Sequence, residues 1–528
     1  MLVALRGKFS RLISLDRMTE PGANEATLQS RITRRILRSF SAQIVFFVVR
    51  FVQQILLVPL FLASWGTLAY ADWLLLSSLA AFASFIDFGM QIYFSNRLQA
   101  TWAKGNTAGH QRVFSTMLGA HLLVIGNASA IVAVLAIAAN PVAWLNLRTI
   151  PHDDAAIILW LLAAAVIVGI IQGIFVQLYR ARQKFDRAVN AGTLLILLQA
   201  GAIGTSLLFL ASPLTMAWAN LGATVLSGVL IFYDCKRLYP DIRYVAELPD
   251  RTDRRAIYAN APYYTLSSLA VLGVQNGPIL VIGQFATEAG AIVSFSLLRT
   301  ITNLIRMIAN QFAMSSTVEI VHQYLAGGER GPMRRLFFGA TATITAIVGA
   351  PSGLLWVMGS LILAIWSRGQ ASFDRGVFDF LLLATVLAAS TQIPIVFLSY
   401  TNHPRPMAAA NVALLVFGVG LGIPLTSLYG AAGMAASLFA VEAILFLGIL
   451  SRVACELIGV SYIRFIGISI AAMMLALVPS IVISAYLTDV LRPTTITTLA
   501  IFGFAWGGLM TLCMAAVAMT ARKFSRLR

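Results

Sequence analysis

Apolar segments of about twenty residues recur fourteen times between residues 39 and 519, separated by short polar connectors and without the alternation that barrel strands show. That length matches a helix crossing the hydrocarbon layer, so the pattern predicts an all-α polytopic membrane protein with about 14 transmembrane helices. One segment breaks the apolar rule. Residues 291–317 contain SLLRTITNLIRMIANQFAMSST, with two arginines inside a membrane-length helix. At about 100° per residue, Arg299, Asn303, Arg306 and Asn310 fall at about 0°, 40°, −20° and 20°, on one narrow face. Each arginine at the centre of a spanning helix costs roughly 2.5–3.5 kcal/mol on insertion scales, so the stripe must face protein or water. A cationic cavity implies an anionic cargo.

The first segment carries a second stripe: Gln43, Arg50 and Gln54 lie within about 40° of one another. Arg50 is about 17 Å deep at roughly 1.5 Å per residue, too far for easy snorkelling. Similar residues also recur at a near-constant offset. Gln53-Gln54 matches Gln275-Asn276 and Trp73 matches Phe295 at 222; Phe88-Gly89-Met90 matches Phe312-Ala313-Met314 at 224; Gly105 matches Gly328 at 223; Tyr179 matches Tyr400, and Asn190 matches Asn411, at 221. Six helices fill one period, which predicts two six-helix lobes of like orientation around a central cavity, plus a terminal helix pair. The expected divisions are a basic N-terminal segment at 1–37, a first lobe with its connecting loop at 38–256, a second lobe at 257–456, and helices 13 and 14 with a basic tail at 457–528. Arg50, Arg299 and Arg306 are then expected to line one space.

Composition agrees: 59% of residues are hydrophobic, 11% are charged, and mean hydropathy is +0.83. The net charge of +17 would suit nucleic acid, but its distribution is a topology signal instead. Thirty-one of the 38 basic residues sit at the termini and on every second connector; the other side has Arg148, Arg368, Arg375 and Arg492. The positive-inside rule puts both termini in the cytoplasm. Arg6, Lys8 and Arg11 interrupt any signal-peptide core, so no cleaved signal is expected, and Leu2, Leu5, Phe9 and Leu12 suit either a short interfacial helix or a basic tail. Cys235, Cys455 and Cys513 lack metal-ligand spacing, and no disulfide or metal site is read. HExxH, GxSxG and a phosphate-binding loop are absent, so no catalytic residue and no cofactor are assigned. Transport would run on a proton or sodium gradient, membrane potential or cargo supply.

Guanidinium groups are the preferred bidentate partners of phosphate, so three of them suit a pyrophosphate head. In the competing arrangement they pair with Asp87 and Glu442 in a packed bundle. Asp87 could equally form an ionic lock or carry a coupling ion, and Glu442 has the same ion-coupling or gating choice. Asn260, Tyr263, Tyr264 and Gln275 could contact sugar hydroxyls or join helices. Pro59, Pro262 and the Gly277-Pro278 step mark hinges or static kinks.

PLFLASWGTLAYADWLLL (Pro59 to Leu76), FIDFGM (Phe85 to Met90) and WAKGN (Trp102 to Asn106) resemble the polysaccharide-exporter or O-antigen flippase family of the multidrug, oligosaccharidyl-lipid and polysaccharide exporter superfamily. Ala71 and Asp72 depart from its pattern, where relatives often carry glycine. The resemblance implies a flippase, not an enzyme, that moves undecaprenyl-diphosphate-linked oligosaccharide to the periplasmic leaflet of a bacterial inner membrane by alternating access. Arg50, Arg299 and Arg306 would bind the head, with Gln54, Asn303 and Asn310 beside them. Expected partners are the lipid-linked oligosaccharide, membrane lipids, and the glycan polymerase and glycosyltransferases of the same pathway. A lipid II flippase shares the head-group chemistry. A drug or cation antiporter of the superfamily would need an acidic cavity, and a glycan polymerase or ligase would need a large outer loop.

Overall fold

The computed structural model describes residues 25–513, apart from 88, 140, 210–211, 287, 289, 326–329, 402–403, 494–497 and 499–500. It is helical nearly throughout, with no strand among the described residues. The helices are α1 (Glu25–Ala81), a 3₁₀ turn (Phe82–Asp87), α2 (Met90–Ala103), α3 (Thr107–Ala139), α4 (His152–Ala181), α5 (Phe185–Phe209), α6 (Pro213–Leu238), α7 (Arg251–Phe285), α8 (Ala291–Leu325), α9 (Arg330–Trp366) and α10 (Arg375–Tyr400). Then come α11 (Pro404–Ala413), a π-helical stretch (Leu414–Val419), α12 (Gly420–Glu442), a second π-helical stretch (Ala443–Leu450), α13 (Ser451–Ile458) and α14 (Tyr462–Leu491). Among the described residues, ten stretches are long and apolar enough to cross a membrane, and 501–513 adds a shorter apolar helix.

Two of those stretches, Ser41–Asp87 and Arg405–Ile458, are double length. Each turns at a single glycine: Gly66 has φ +69° and Gly430 has φ +60°. A Cβ would meet nothing at either position, so the left-handed backbone, not crowding, calls for glycine there. The first helix begins at Glu25, well before the expected start near 39, while the basic segment that precedes it lies outside the described residues.

Packing separates two groups. α1, α4, α5 and α6 pack together, with α2 and α3 against α4; α8, α9, α10, α12 and α13 form the second group with α7, and α14 lies along α9. The lobes meet where α1 packs on α7 and α8. At the end away from the basic connectors they touch closely. Trp366 Nε1 donates to the Ile55 carbonyl at 2.8 Å, Asn146 Nδ2 donates to the Gly283 carbonyl at 3.3 Å, and a Cβ on Gly283 would stand 2.4 Å from Leu75.

Asp72, at the foot of that end, is 1% exposed. Its carboxylate accepts backbone N–H groups from Arg148, Thr149 and Ile150 at 2.7–3.1 Å, together with the Thr149 hydroxyl. A buried charge is tolerated here because four donors surround it. The departure from the family pattern is thus a clamp on the connector between α3 and α4.

At the basic end, the segment after α6 does not hang free. Tyr239 and Ile242 are buried in the first lobe among Phe94, Phe114 and Leu178. Gln111 and Arg243 exchange hydrogen bonds at 2.7 and 2.9 Å, and the Glu247 N–H donates to the Ser115 carbonyl at 3.0 Å. Gly119 lets this strap approach, since a Cβ there would lie 2.1 Å from the Glu247 carbonyl oxygen.

Candidate functional site

α8 brings Arg299, Thr302, Asn303 and Arg306 to one cavity of about 90 Å³ inside the second lobe. Val274 of α7, Leu381 and Ala384 of α10, Leu414, and Ala435, Leu438 and Glu442 of α12 complete its wall. A water's share of liquid volume is about 30 Å³, so this space holds a few waters and is too small for a sugar diphosphate as it stands.

Arg306 is the better satisfied arginine. Its terminal nitrogens donate to the two Glu442 oxygens at 3.0 and 3.3 Å, and Nε donates to Thr385 Oγ1 at 3.1 Å. That fork uses the planar match of guanidinium to carboxylate. Glu442 is the last residue of α12 before the second π-helical stretch, and Leu414 opens the first. Such departures from α-helical winding are frequent at functional sites.

Among the described residues, no carboxylate pairs with Arg299. It donates to two backbone carbonyls of α7, Gln275 at 2.7 Å and Val274 at 3.0 Å. The sequence of α7 explains why the Val274 oxygen is available: Pro278 stands four residues after Val274 and has no N–H to give it. Two guanidinium groups and one carboxylate leave the cavity one positive charge in excess.

The structure brings Arg299, Asn303 and Arg306 together but not Arg50, which is exposed on α1 and absent from the cavity wall. The expected triad of arginines in one space is therefore a pair. Gln54 is half-buried on α1, and Asn310 is exposed one turn beyond Arg306. Gln275 contributes its backbone carbonyl to Arg299 while its side chain is exposed. Asn260 and Tyr264 lie on α7 with side chains outside the described residues. Among the described residues Asp87 meets no arginine; His121 Nε2 is 3.1 Å from its carboxylate. Thr385 carries no signal in the sequence, and His121 is one of five scattered histidines; both lie on apolar faces with no polar periodicity around them. The three cysteines are free.

No protein-family model matches the sequence, and no curated protein is similar to it in sequence. Solved structures are similar in fold. A lipid II flippase, MurJ, in an inward closed conformation aligns with a TM-score of 0.64 at 11% identity, covering 93% of this chain and 99% of that one. An inward-facing multidrug resistance MATE family transporter of the MOP superfamily gives 0.57 at 15% identity, over 81% and 95%. A MOP superfamily transporter from Pyrococcus furiosus, described as having a binding pocket of reverse polarity, gives 0.54 at 14% identity, over 82% and 96%. The chain therefore has the fold of these polytopic, two-lobed helical transporters.

Proposed function

We propose that this protein is a flippase for an oligosaccharide linked through a diphosphate to a long isoprenoid such as undecaprenol. The observation that carries the reading is Arg299, a cation inside the second lobe whose hydrogen-bond partners among the described residues are neutral carbonyls, beside an Arg306 already matched by Glu442. A carbonyl is a weaker partner for guanidinium than an ionised phosphate oxygen. An incoming diphosphate exchanges with the Val274 and Gln275 carbonyls, and their release changes how α7 bends at Pro278. Cargo capture and helix movement are thereby one event.

The small cavity must widen, and the interlobe surface supplies the room. Arg50, Gln54, Asn303 and Asn310 attend the head group along that surface, and the lipid tail stays in the bilayer. Asn260, Tyr264 and Gln275 meet the sugars. Glu442 sets the charge of the cavity and gates it. With the basic connectors in the cytoplasm, the contacts through Trp366, Asn146 and Gly283 close the periplasmic side of an inner-membrane protein. An O-antigen or exopolysaccharide repeat unit, delivered by glycosyltransferases and passed to a polymerase, is the cargo that the resemblance favours. Lipid II is the second reading, favoured by the fold shared over 99% of the length of a lipid II flippase. A cation antiporter fits less well, because the excess charge of the cavity is positive.

Purified protein in liposomes containing undecaprenyl-diphosphate oligosaccharide tests the proposal. Protein-dependent exposure of glycan at the far leaflet, lost in Arg299→Ala, supports it. Exchange of organic cations without glycan movement overturns it.

A further inference from the structure

The FIDFGM stretch holds a second polar centre that the cavity does not use. The helix after Gly66 stops at Ala81, tightens into the 3₁₀ turn Phe82–Asp87, and restarts as α2 behind Gly89, whose φ is +65°. His121 of α3 stands against this break and is fully buried. Ile86, Ile125 and Ile170 close one side, and the Phe94 ring lies 6.0 Å away.

Both ring nitrogens of His121 are engaged. Nδ1 is 2.7 Å from the Met117 carbonyl oxygen, and Nε2 is 3.1 Å from Asp87 Oδ1. A carbonyl can only accept, so the proton of that bond belongs to Nδ1. Nε2 of a neutral ring would then present a lone pair to the carboxylate, which is repulsive. The contact needs one more proton, shared as imidazolium with carboxylate or as imidazole with carboxylic acid. From this count we infer that His121 and Asp87 together form a proton-binding site in the first lobe, at the break in the second membrane helix.

When the proton is present the pair is neutral overall and joins the break to α3. When it leaves, a net negative charge and two facing acceptors remain in an apolar setting, and the contact opens. Asp87, with 20% of its side chain exposed, is the exit for the proton, since His121 has none exposed. The elements around the 3₁₀ turn offer little competition. α4 faces it with isoleucines, the described side chains of α7 between Leu266 and Phe285 carry no charge, and α1 carries none between Phe51 and Ala71. On α2, the titratable and charged groups beside the break are Tyr93 and Arg97, bonded to each other at 3.0 Å. The ligand is the proton, and the element that it biases is the helix break.

This inference goes beyond the flippase reading and stands if that reading fails, so its test does not measure cargo. Full-length protein in lipid nanodiscs is compared at acid and alkaline pH by infrared difference spectroscopy and by amide hydrogen exchange of 82–94, corrected for the intrinsic pH dependence of exchange. The wild type is expected to lose one imidazolium or carboxylic-acid signal and to exchange faster at 82–94 on the alkaline side. Asp87→Asn gives Nε2 an amide donor that needs no titrating proton, so it should lose the signal and keep slow exchange at every pH. His121→Gln should lose the signal as well, and a monodisperse elution profile shows that each variant has folded. A signal that survives in both folded variants, or exchange at 82–94 that ignores pH in the wild type, overturns the site.

Discussion

Arg299 donates at 3.0 Å to the carbonyl of Val274, the oxygen that Pro278, four residues along α7, has no N–H to meet. An arginine expensive to place in a membrane thus stitches a helix that its own proline has opened. Stability and, in the function proposed above, cargo binding both load onto one side chain.

The two roles can be separated. Arg299→Ala leaves the Val274 carbonyl, which no helical N–H meets, without a partner and is expected to destabilise the protein by roughly 1–3 kcal/mol. Pro278→Ala restores a donor for Val274, so the Arg299→Ala penalty should shrink in that background, a coupling that thermal unfolding of the four proteins of the cycle measures. Glycan flipping should stay lost in the double variant. Its return would show that Arg299 acts on α7 alone.

Arg306 and Glu442 form a pair with 27% and 15% of their side chains exposed, so water screens part of the interaction. Glu442→Ala leaves Arg306 uncompensated and should cost on the order of 1–3 kcal/mol, below the range for a fully buried pair. Exchanging the two residues, Arg306→Glu with Glu442→Arg, keeps the pair and should recover most of that loss. Transport should not recover, because the cation no longer projects from α8 beside Arg299. Thermal unfolding and the flipping assay on the same preparations read both effects.

Much of this arrangement is written in helical periodicity. The spacing of Arg299, Asn303 and Arg306 specifies one face of α8, and all three line one cavity. Periodicity says nothing about which helix stands opposite. Arg50 has equally regular polar neighbours, yet it is absent from that cavity's wall. Asp87 meets an arginine only in the arrangement that competes with the cavity, and its partner is a histidine 34 positions away on α3. Asp72 looked like a lapse in a family motif, because its donors are backbone N–H groups of a connector and carry no side-chain signature. The early start of the first helix, at Glu25, escaped for a related reason: its first turns are polar, and hydropathy marks the membrane rather than the helix.

The Asp72 clamp leads to a mechanical expectation. Asp72→Ala removes the acceptor for three backbone N–H groups and a hydroxyl, and should lower stability by roughly 2–4 kcal/mol, since several buried donors lose their partner together. Asp72→Asn keeps one acceptor oxygen and should fall between. Limited proteolysis of oriented vesicles, from the side that carries the connector between α3 and α4, should cut within 141–150 faster in the order wild type, Asn, Ala. Equal rates would mean that the connector is held by its packing alone.

The strap that follows α6 should respond to acid. Arg182 grips Asp241 with two parallel hydrogen bonds, at 2.8 and 2.5 Å, while its guanidinium lies 4.4 Å from the Trp102 ring centre and 4.7 Å from that of Tyr239. The Arg182 hydrogen bonds hold the Asp241 carboxyl below the usual carboxylate range. A carboxyl whose folded value is depressed stabilises above its unfolded value, near about 4, and loses that contribution as pH falls through the lower folded value. The docked strap is therefore held at neutral pH and loosened in acid. A fluorophore on a cysteine introduced at position 246 should become more accessible to quencher as pH drops below about 4 in the wild type. In Arg182→Gln it should be accessible across the whole range with little pH dependence. Gly119→Val, which drives a side chain into the Glu247 backbone, should release the strap at every pH while leaving Arg182 and Asp241 in place. Unchanged quenching in Gly119→Val would mean that the strap yields around the new side chain, and that the Arg182–Asp241 grip alone decides where it lies.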